Sequence, residues 1–553
     1  MNTALSDIIY ASELRGFAMS FKPNNYQQMT LHDSYLNLTP RVQKIVQNSW
    51  CKDFAEIVFP AINEERFSVL YDDNSASRPN TPVNFIIGAL ILKENGNLSD
   101  DELLEAICCD VRYQYALHST HCKEQPVSDR TFSRFRERIY NYTLETGHDL
   151  LDEEMESLTQ TYSEYMNLHS NIKRMDSLMV ASHCKSMSRL EIIYKVTANA
   201  IKLIDRLGLR DLLTQDLLHY LEENDFNDTI YYCKSEDAEP RLQKVIREAE
   251  AVKRLMAEDV WHEMPEYQLL IRVLNEQSDR TEDGGVVPKD KKKITPDSLQ
   301  NPSDPDATFR SKAGKNHKGY VVNVIETVGE EGSLITGIRT EQNTYSDSQF
   351  CKDYIDQKEG DTPETMIADG AYGGFENQNL AEGKNINLVT TSLSGPEADP
   401  IFAQFTFNEE GTQILSCPKG HAPIKTTHYP KKDTCRALFA KSLCENCPNR
   451  EACKAKPQRK NYAVHVSKRM MQRAQYREKL STEEYRKLTH MRNAIEGIPS
   501  VLRRRYHIDD IPTYGLIRIR TFVQFKAMAY NFIKVRHYRQ RHRDNCALQP
   551  AIG

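Results

Sequence analysis

The sequence predicts a mixed α/β protein: a helical N-terminal part, then a mixed β-sheet core interrupted by a helical insertion and by a cysteine-rich one. Three observations predict it. Capped, apolar helical stretches dominate from Val83 to about residue 170. Downstream, short runs rich in β-formers alternate with helix starts, in the order strand, hairpin, helix, strand, helix, strand, helix. Two long stretches break that order, a charged helical one after the first strand and a cysteine-bearing one after the last. At 553 residues the chain is too long for one compact domain. Its 39% hydrophobic and 9% aromatic content excludes a fully disordered protein, and 13 cysteines in this length exclude a disulfide scaffold.

In chain order, Arg78-Pro79-Asn80-Thr81-Pro82 breaks the backbone and opens an apolar helix over residues 83–93. Ser99 reads as an N-cap, with Glu102 three residues later as its capping-box partner, for a helix running to about Tyr115. Ser128 reads as the N-cap of the next. Short helices with tight, capped junctions suit a helix-turn-helix. In the last of them Arg130, Arg134 and Arg138 recur at i, i+4 and i+8, opposite Phe132 and Phe135. That stripe is either a DNA-contacting face or the ordinary solvated face of a bundle. Residues 141–170 are helical and acidic, and 172–180 form a strand. Residues 186–278 are helical, and 279–318 are polar and turn-rich, a long loop or linker. Strands at 319–328 and 334–340 make a hairpin across the five residues Gly329-Glu330-Glu331-Gly332-Ser333. A helix at 346–357, a strand at 365–368 ending at Asp369, a helix from about Gly374 and a strand at 386–391 follow. After the cysteine-bearing stretch come helices at 481–498 and 516–539. The expected organisation is a helical DNA-binding domain over 1–150, a catalytic domain over 171–540 interrupted at 186–300 and 400–470, and a tail at 541–553.

The start of the chain lacks a basic head followed by an apolar run, and the longest apolar stretches, such as 85–92, are too short to span a bilayer. A soluble cytoplasmic protein with reduced thiols and no membrane partner is expected. The formal net charge of −6 conceals an asymmetry: residues 454–544 hold 23 Lys and Arg against 7 Asp and Glu. A strongly basic segment on an otherwise acidic chain points to a polyanion such as DNA, or to a solvated face balancing acidic neighbours.

Three carboxylates stand out. Asp176 lies within the first strand. Asp369 ends a later strand, among the small residues of Ala368-Asp369-Gly370-Ala371-Tyr372-Gly373-Gly374, where a phosphate or water can come close. Glu496 lies in Arg492-Asn493-Ala494-Ile495-Glu496, near Arg503-Arg504-Arg505. Converging carboxylates suit Mg²⁺, a hard cation with oxygen ligands. Two such ions support in-line phosphoryl displacement. Among 78 acidic residues, spacing alone also allows three unrelated surface acids.

The chain resembles insertion-sequence transposases of the DDE type. Residues 78–138 are similar to the helical domain that precedes the catalytic core in many of them. Met175-Asp176-Ser177-Leu178-Met179-Val180 resembles the first-Asp strand, and Ser303-Asp304-Pro305-Asp306-Ala307 with His317-Lys318-Gly319-Tyr320 the lead-in to the second strand. Ala368-Asp369-Gly370-Ala371-Tyr372 resembles the second-Asp strand, Arg492-Asn493-Ala494-Ile495-Glu496 the third-acid helix, and Arg518-Ile519-Arg520 with its apolar helix the closing segment. The resemblance implies a ribonuclease-H-like core in which Asp176, Asp369 and Glu496 hold Mg²⁺ or Mn²⁺. It further implies that Arg492, Arg503, Arg504 and Arg505 meet DNA phosphates and that Arg130, Arg134 and Arg138 help bind DNA ends. Many relatives carry Y-x2-R-x3-E-x6-K around the glutamate. Here Arg492 and Glu496 fit, but Thr489 stands at the Tyr position and Arg503 at the Lys position. The implied activity is cleavage at the element's terminal inverted repeats and joining of 3′-hydroxyls to target DNA, by a homodimer on double-stranded DNA. The alternatives are a non-catalytic DNA-binding regulator, a decayed copy, or a nuclease of the same fold that cuts without joining.

Cys417, Cys435, Cys444, Cys447 and Cys453 fall within 37 residues. The C-x2-C pair Cys444/Cys447, with Cys453 and Cys417, fits a tetrahedral structural Zn²⁺ site, with Cys435 or His421 as substitutes. The other reading is a set of free cytosolic thiols.

Overall fold

Helix α1 (Val83–Gly96) is buried along most of its length, so it is a core helix rather than a surface one. In this computed structural model, residues 19–24, 33–72, 78–232, 234–312, 314–392 and 399–547 are described. The first 18 residues and the tail beyond 547 lie outside them. Short helices at Pro40–Gln47 and Trp50–Asp53 precede α1. Pro82 sets its start, and Asn97 ends it in the left-handed conformation at φ 52°. Next come α2 (Asp100–Cys109), α3 (Val111–Ala116), α4 (Thr131–Thr146) and α5 (Leu150–Tyr165). The Ser99/Glu102 capping box forms as expected. Two local expectations fail. Asp110 splits the expected long helix by accepting from the Arg112 N–H. Ser128 does not cap α4: it sits in a turn where its N–H donates to Thr131 Oγ1 at 2.8 Å, and the helix begins at Thr131. Residues 117–130 separate α3 from α4, so the tight helix-turn-helix junction expected before Arg130 is absent.

Strand β1 (Ile172–Ala181) is the centre of the main sheet. Residues 186–300 intervene as a largely helical insertion built on α6 (Arg189–Arg206), α7 (Ala238–Leu255) and α8 (Pro265–Gln277), with its own apolar core around Ile201, Ile246 and Leu274. The stretch expected as a long loop contains a small hairpin, Ser278–Arg280 with Val286–Pro288, and strand β2 (Thr308–Lys312). Strands β3 (Lys315–Gly329) and β4 (Gly332–Gln342) are longer than expected and joined by only two residues, with Gly329 facing Gly332. Then come α9 (Asp347–Gln357), β5 (Glu364–Ala368), α10 (Phe375–Gly383) and β6 (Ile386–Thr390).

β3 pairs antiparallel with β1, placing Val324 opposite Asp176, and antiparallel with β4 on its other side. β5 runs parallel to β1, with Ile367 beside Arg174, and β6 runs parallel to β5. The order β4–β3–β1–β5–β6, with the first three strands antiparallel and the last two parallel, is the ribonuclease-H-like sheet. β2 extends it by pairing with the start of β3.

Side chains alternate across β1. Met175 and Met179 face the α9/α10 side, in a core with Phe350, Met366 and Leu388. Leu178 and Val180 face the other side, in a core that includes Phe54, Leu90, Phe132, Leu158 and Phe532. That second core is continuous from the N-terminal helices through the sheet to the last helix.

The cysteine-rich insertion has a small sheet of β7 (Lys425–Tyr429), β8 (Thr434–Ala440) and β9 (Asn461–Val466), extended by Lys456–Pro457, and a separate core around Phe402, Phe439 and Val464. Helices α11 (Lys468–Ser481), α12 (Glu483–Arg492), α13 (Gly497–Arg504) and α14 (Leu516–Ala547) complete the chain. The single helix expected at 481–498 is broken twice, at Thr482, which caps α12, and by a 3-10 turn at Asn493–Glu496. In α14 every residue from 521 to 533 is buried. Asn531 pins the helix to β4, accepting from the Ile335 N–H and donating to the Ile335 carbonyl, each at 2.8 Å.

Candidate active site

The register of β1 and β5 explains why two of the acids meet. Arg174 stands beside Ile367, so two residues on in each strand Asp176 comes level with Asp369, just past the end of β5. Asp176 points to the same face as Arg174 and Leu178, the face that α12 to α14 cover. Its oxygen accepts the Ser177 N–H at 2.9 Å. Burial pushes its carboxyl above the usual carboxylate range, Asp369 adds to the rise, and the Ser177 N–H, Arg492 and Lys312 oppose it. Asp369 accepts from Thr391 Oγ1 at 3.2 Å. Gly370, beside it, packs so closely on Ser392 that a Cβ would collide with the hydroxyl; the small residue serves strand packing here.

Glu496 ends the 3-10 turn that lies against β1. Arg492 joins the acids: its guanidinium is 3.6 Å from Asp369 Oδ2 and 3.3 Å from Glu496 Oε1. Its side chain is 17% exposed, against 49% for Asp369 and 62% for Glu496. Two of the three sequence-predicted acids, Asp369 and Glu496, therefore flank one cation supplied by the chain itself, and the third, Asp176, is near enough for the same guanidinium to bear on its carboxyl. Among the described residues, no group of three or more His, Cys, Asp or Glu side chains stands at metal-binding spacing. The cation that lies between two of the acids in this structure is Arg492.

Several supporting residues escape sequence reasoning. Arg174 and Glu326 form a buried ion pair, with Arg174 Nε 3.0 Å from Glu326 Oε2. Arg174 Nη1 also donates to the Met491 carbonyl at 2.7 Å, so β1 holds the end of α12 one residue before Arg492. Asp347, buried at the start of α9, accepts from Ser177 Oγ at 2.8 Å and lies 3.6 Å from Arg310 and 3.9 Å from Lys312. The period-2 alternation of β1 could have flagged Arg174, two residues before Asp176. Nothing in the turn-rich sequence around β2 marks Lys312.

The predicted DNA-contacting arginines divide. Arg130 and Arg134 are exposed, whereas Arg138 is partly covered and stacks 4.8 Å over the Tyr71 ring. Arg503 pairs with Asp509 at 3.1 Å and donates to the Met179 carbonyl at 3.2 Å, and so braces the end of β1. Arg505 donates to Asn95 Oδ1 at 3.4 Å. Arg504 is exposed.

Cys417, Cys444, Cys447 and Cys453, with His421, line one cavity of about 20 Å³. Burial pushes the Cys453 thiol up to about 12, and the neighbouring Cys447, Cys417 and Cys444 add to the rise. Cys435 is elsewhere: it is buried on β8 and its thiol points to the Thr412 carbonyl at 3.2 Å, which removes it as a substitute. The thiols share a cavity without reaching the spacing of metal ligands, so zinc is not shown.

No helix among the described residues is long and apolar enough to cross a membrane. No curated protein matches the chain. A solved structure of the piggyBac transposase synaptic complex with hairpin DNA aligns over 71% of this chain and 82% of that one, at 10% identity and a TM-score of 0.18, too low to bear on this chain's fold or function. Two family models do match. Residues 42–138 match a transposase domain (DUF772), and residues 416–536, which include Arg492, Glu496 and most of α14, match a transposase DDE domain. Two transposase-domain models thus match the chain in this order, one on each side of the ribonuclease-H-like sheet, and they support an insertion-sequence transposase of the DDE type.

Proposed function

We propose that this transposase binds the terminal inverted repeats of its element as a homodimer, cleaves the ends, and joins the 3′-hydroxyls to target DNA, with Asp176, Asp369 and Glu496 as the catalytic acids. The observation that carries the reading is that Asp369 and Glu496 flank Arg492 while strand register brings Asp176 level with Asp369. They would hold Mg²⁺ or Mn²⁺, which supplies activation of the attacking oxygen and stabilisation of the leaving one. The chain's own residues set the stage. β1 and β5 fix the two aspartates by strand register. Arg174 fixes the α12 end. Arg492 holds the two outer carboxylates together, offsetting charge that would otherwise repel. The exposed Arg504, and the exposed Arg130 and Arg134 of the N-terminal part, would meet DNA phosphates; those contacts position the duplex without reading its sequence.

Asp176→Asn, Asp369→Asn and Glu496→Gln each keep side-chain shape and remove one ligand charge. Each variant is expected to lose cleavage and strand transfer on a terminal-repeat duplex by at least about 10³-fold, a loss of roughly 4 kcal/mol of transition-state stabilisation, while end binding holds within a few-fold. Retained cleavage in any one of them removes that residue from the site. Joining of pre-cleaved ends to target DNA by the wild type separates a transposase from a nuclease that only cuts.

A further inference from the structure

A second cationic site lies away from the acids, at the tip of the β3–β4 hairpin. Lys534, His537 and Arg541 of α14 are spaced i, i+3 and i+7, so they share one face of the helix. They wall an open cleft of about 540 Å³ whose other side is Met166, Gly332 and Ser333. Gly332 has φ 147°, a conformation that favours glycine, and a Cβ there would lie 3.1 Å from Met166 Cε and 3.7 Å from Arg541 Nη2. The hairpin tip is thus shaped to let Arg541 close over it.

Polar groups around the cleft are oriented for an anion. Lys534 Nζ is 3.4 Å from Ser333 Oγ, and Arg541 donates to the Glu331 backbone carbonyl at 2.7 Å. The Glu331 carboxylate itself is taken by His542 at 3.0 Å. Glu326, the acid facing Lys534 from β3, is committed to Arg174. Among the described residues no carboxylate forms an ion pair with Lys534, His537 or Arg541. Desolvation by burial holds both Lys534 and His537 below their usual values, and Arg541 is among the neighbouring cations that push each further down. Arg505 also bears on His537, which links the cleft to the basic end of α13.

We propose that this cleft is a phosphate subsite that takes a backbone phosphate of DNA, remote from the catalytic acids. It rests on the DNA-binding reading above. An open cationic cleft of this size, near enough to Arg505 for its charge to bear on His537, suits a polymer that runs along the surface; a free phosphate ion would fill only a small part of it. His537 serves as a hydrogen-bond donor, and Lys534 and Arg541 supply the charge.

The test uses the full chain and two variants, Lys534→Gln/Arg541→Gln and the single charge reversal Arg541→Glu at an exposed side chain. Affinities for terminal-repeat and random duplexes of equal length are measured against salt, with unfolding temperature as the control for folding. The double variant is expected to lose roughly one to two units of the salt slope and about tenfold in affinity at 0.15 M salt, equally on both duplexes, with Arg541→Glu falling in the same direction. An unchanged slope in both variants, while the wild type binds DNA normally, overturns the subsite and leaves the transposase reading standing. A wild type that binds neither duplex fails that reading first, and the subsite falls with it. Titration calorimetry with inorganic phosphate alone is the second arm. Phosphate uptake lost in the double variant, with the DNA slope unchanged, would reassign the cleft to the free ion and overturn the proposal.

Discussion

Arg174 shows how one side chain ties the sheet to the third acid. Its guanidinium spends part of its donors on Glu326, in a buried pair, and one on the partly buried Met491 carbonyl. Arg174→Met leaves Glu326 buried without a partner, which should cost about 3–5 kcal/mol in urea unfolding. Arg174→Met/Glu326→Met should recover most of that loss, because the pair rather than its absence carries the desolvation cost. Cleavage in the double variant should nevertheless stay below wild type while end binding is kept, since the tie from β1 to the α12 end is then gone. Wild-type cleavage in the double variant would reduce Arg174 to a structural role. At this scale the acids could be singled out from the sequence because each sits in a recognisable run. The sequence was not legible for Arg174, Asp347 or Lys312, whose parts depend on strand register and on a contact 317 residues apart in the chain.

At the scale of elements, regular segments with caps or alternation were readable and irregular ones were not. The Ser99 capping box, β1, α9 and the β5–β6 pair formed where local chemistry puts them. β2 and the small hairpin before it lay hidden because their sequence is polar and turn-rich; pairing with β3, not propensity, makes β2 a strand. The 3-10 turn at Asn493–Glu496 likewise carries no sequence mark, yet it sets the angle between α12 and α13 and so aims Glu496. In the cysteine-rich element the shared cavity of Cys417, Cys444, Cys447 and Cys453 makes a zinc staple testable. About one Zn²⁺ per chain is expected on elemental analysis of protein purified without chelator. Cys444→Ser should abolish it and speed proteolysis within residues 400–470, while Cys435→Ser, outside the cavity, should retain the metal. Metal-free wild-type protein would leave the four as ordinary thiols.

For the whole molecule, the helices expected as a domain over 1–150 share a core that does not stop at residue 150. Lys526 of α14 reaches Glu94 of α1 at 2.5 Å and the Tyr506 carbonyl at 2.6 Å, with both charged side chains under a tenth exposed. Arg520 and Gln524 likewise reach Asp149. Lys526→Met should therefore cost about 3–5 kcal/mol, and limited proteolysis should then cut faster within residues 83–146 as well as in α14. Unchanged protection of the N-terminal helices would show two independent units. Sequence reading missed this union because each helix looks complete by itself; only the long apolar face of α14, buried on all sides from 521 to 533, hints that it needs partners on more than one flank.

The burial of α14 also orders events during synthesis. The N-terminal helices emerge from the ribosome first but lack the surface they pack against until the last helix follows, some 370 residues later. At about 5–20 residues per second that is a wait on the order of tens of seconds with apolar faces uncovered. A nascent chain cannot finish the core of its N-terminal helices before its last helix is made, and a message truncated before α14 leaves that core open.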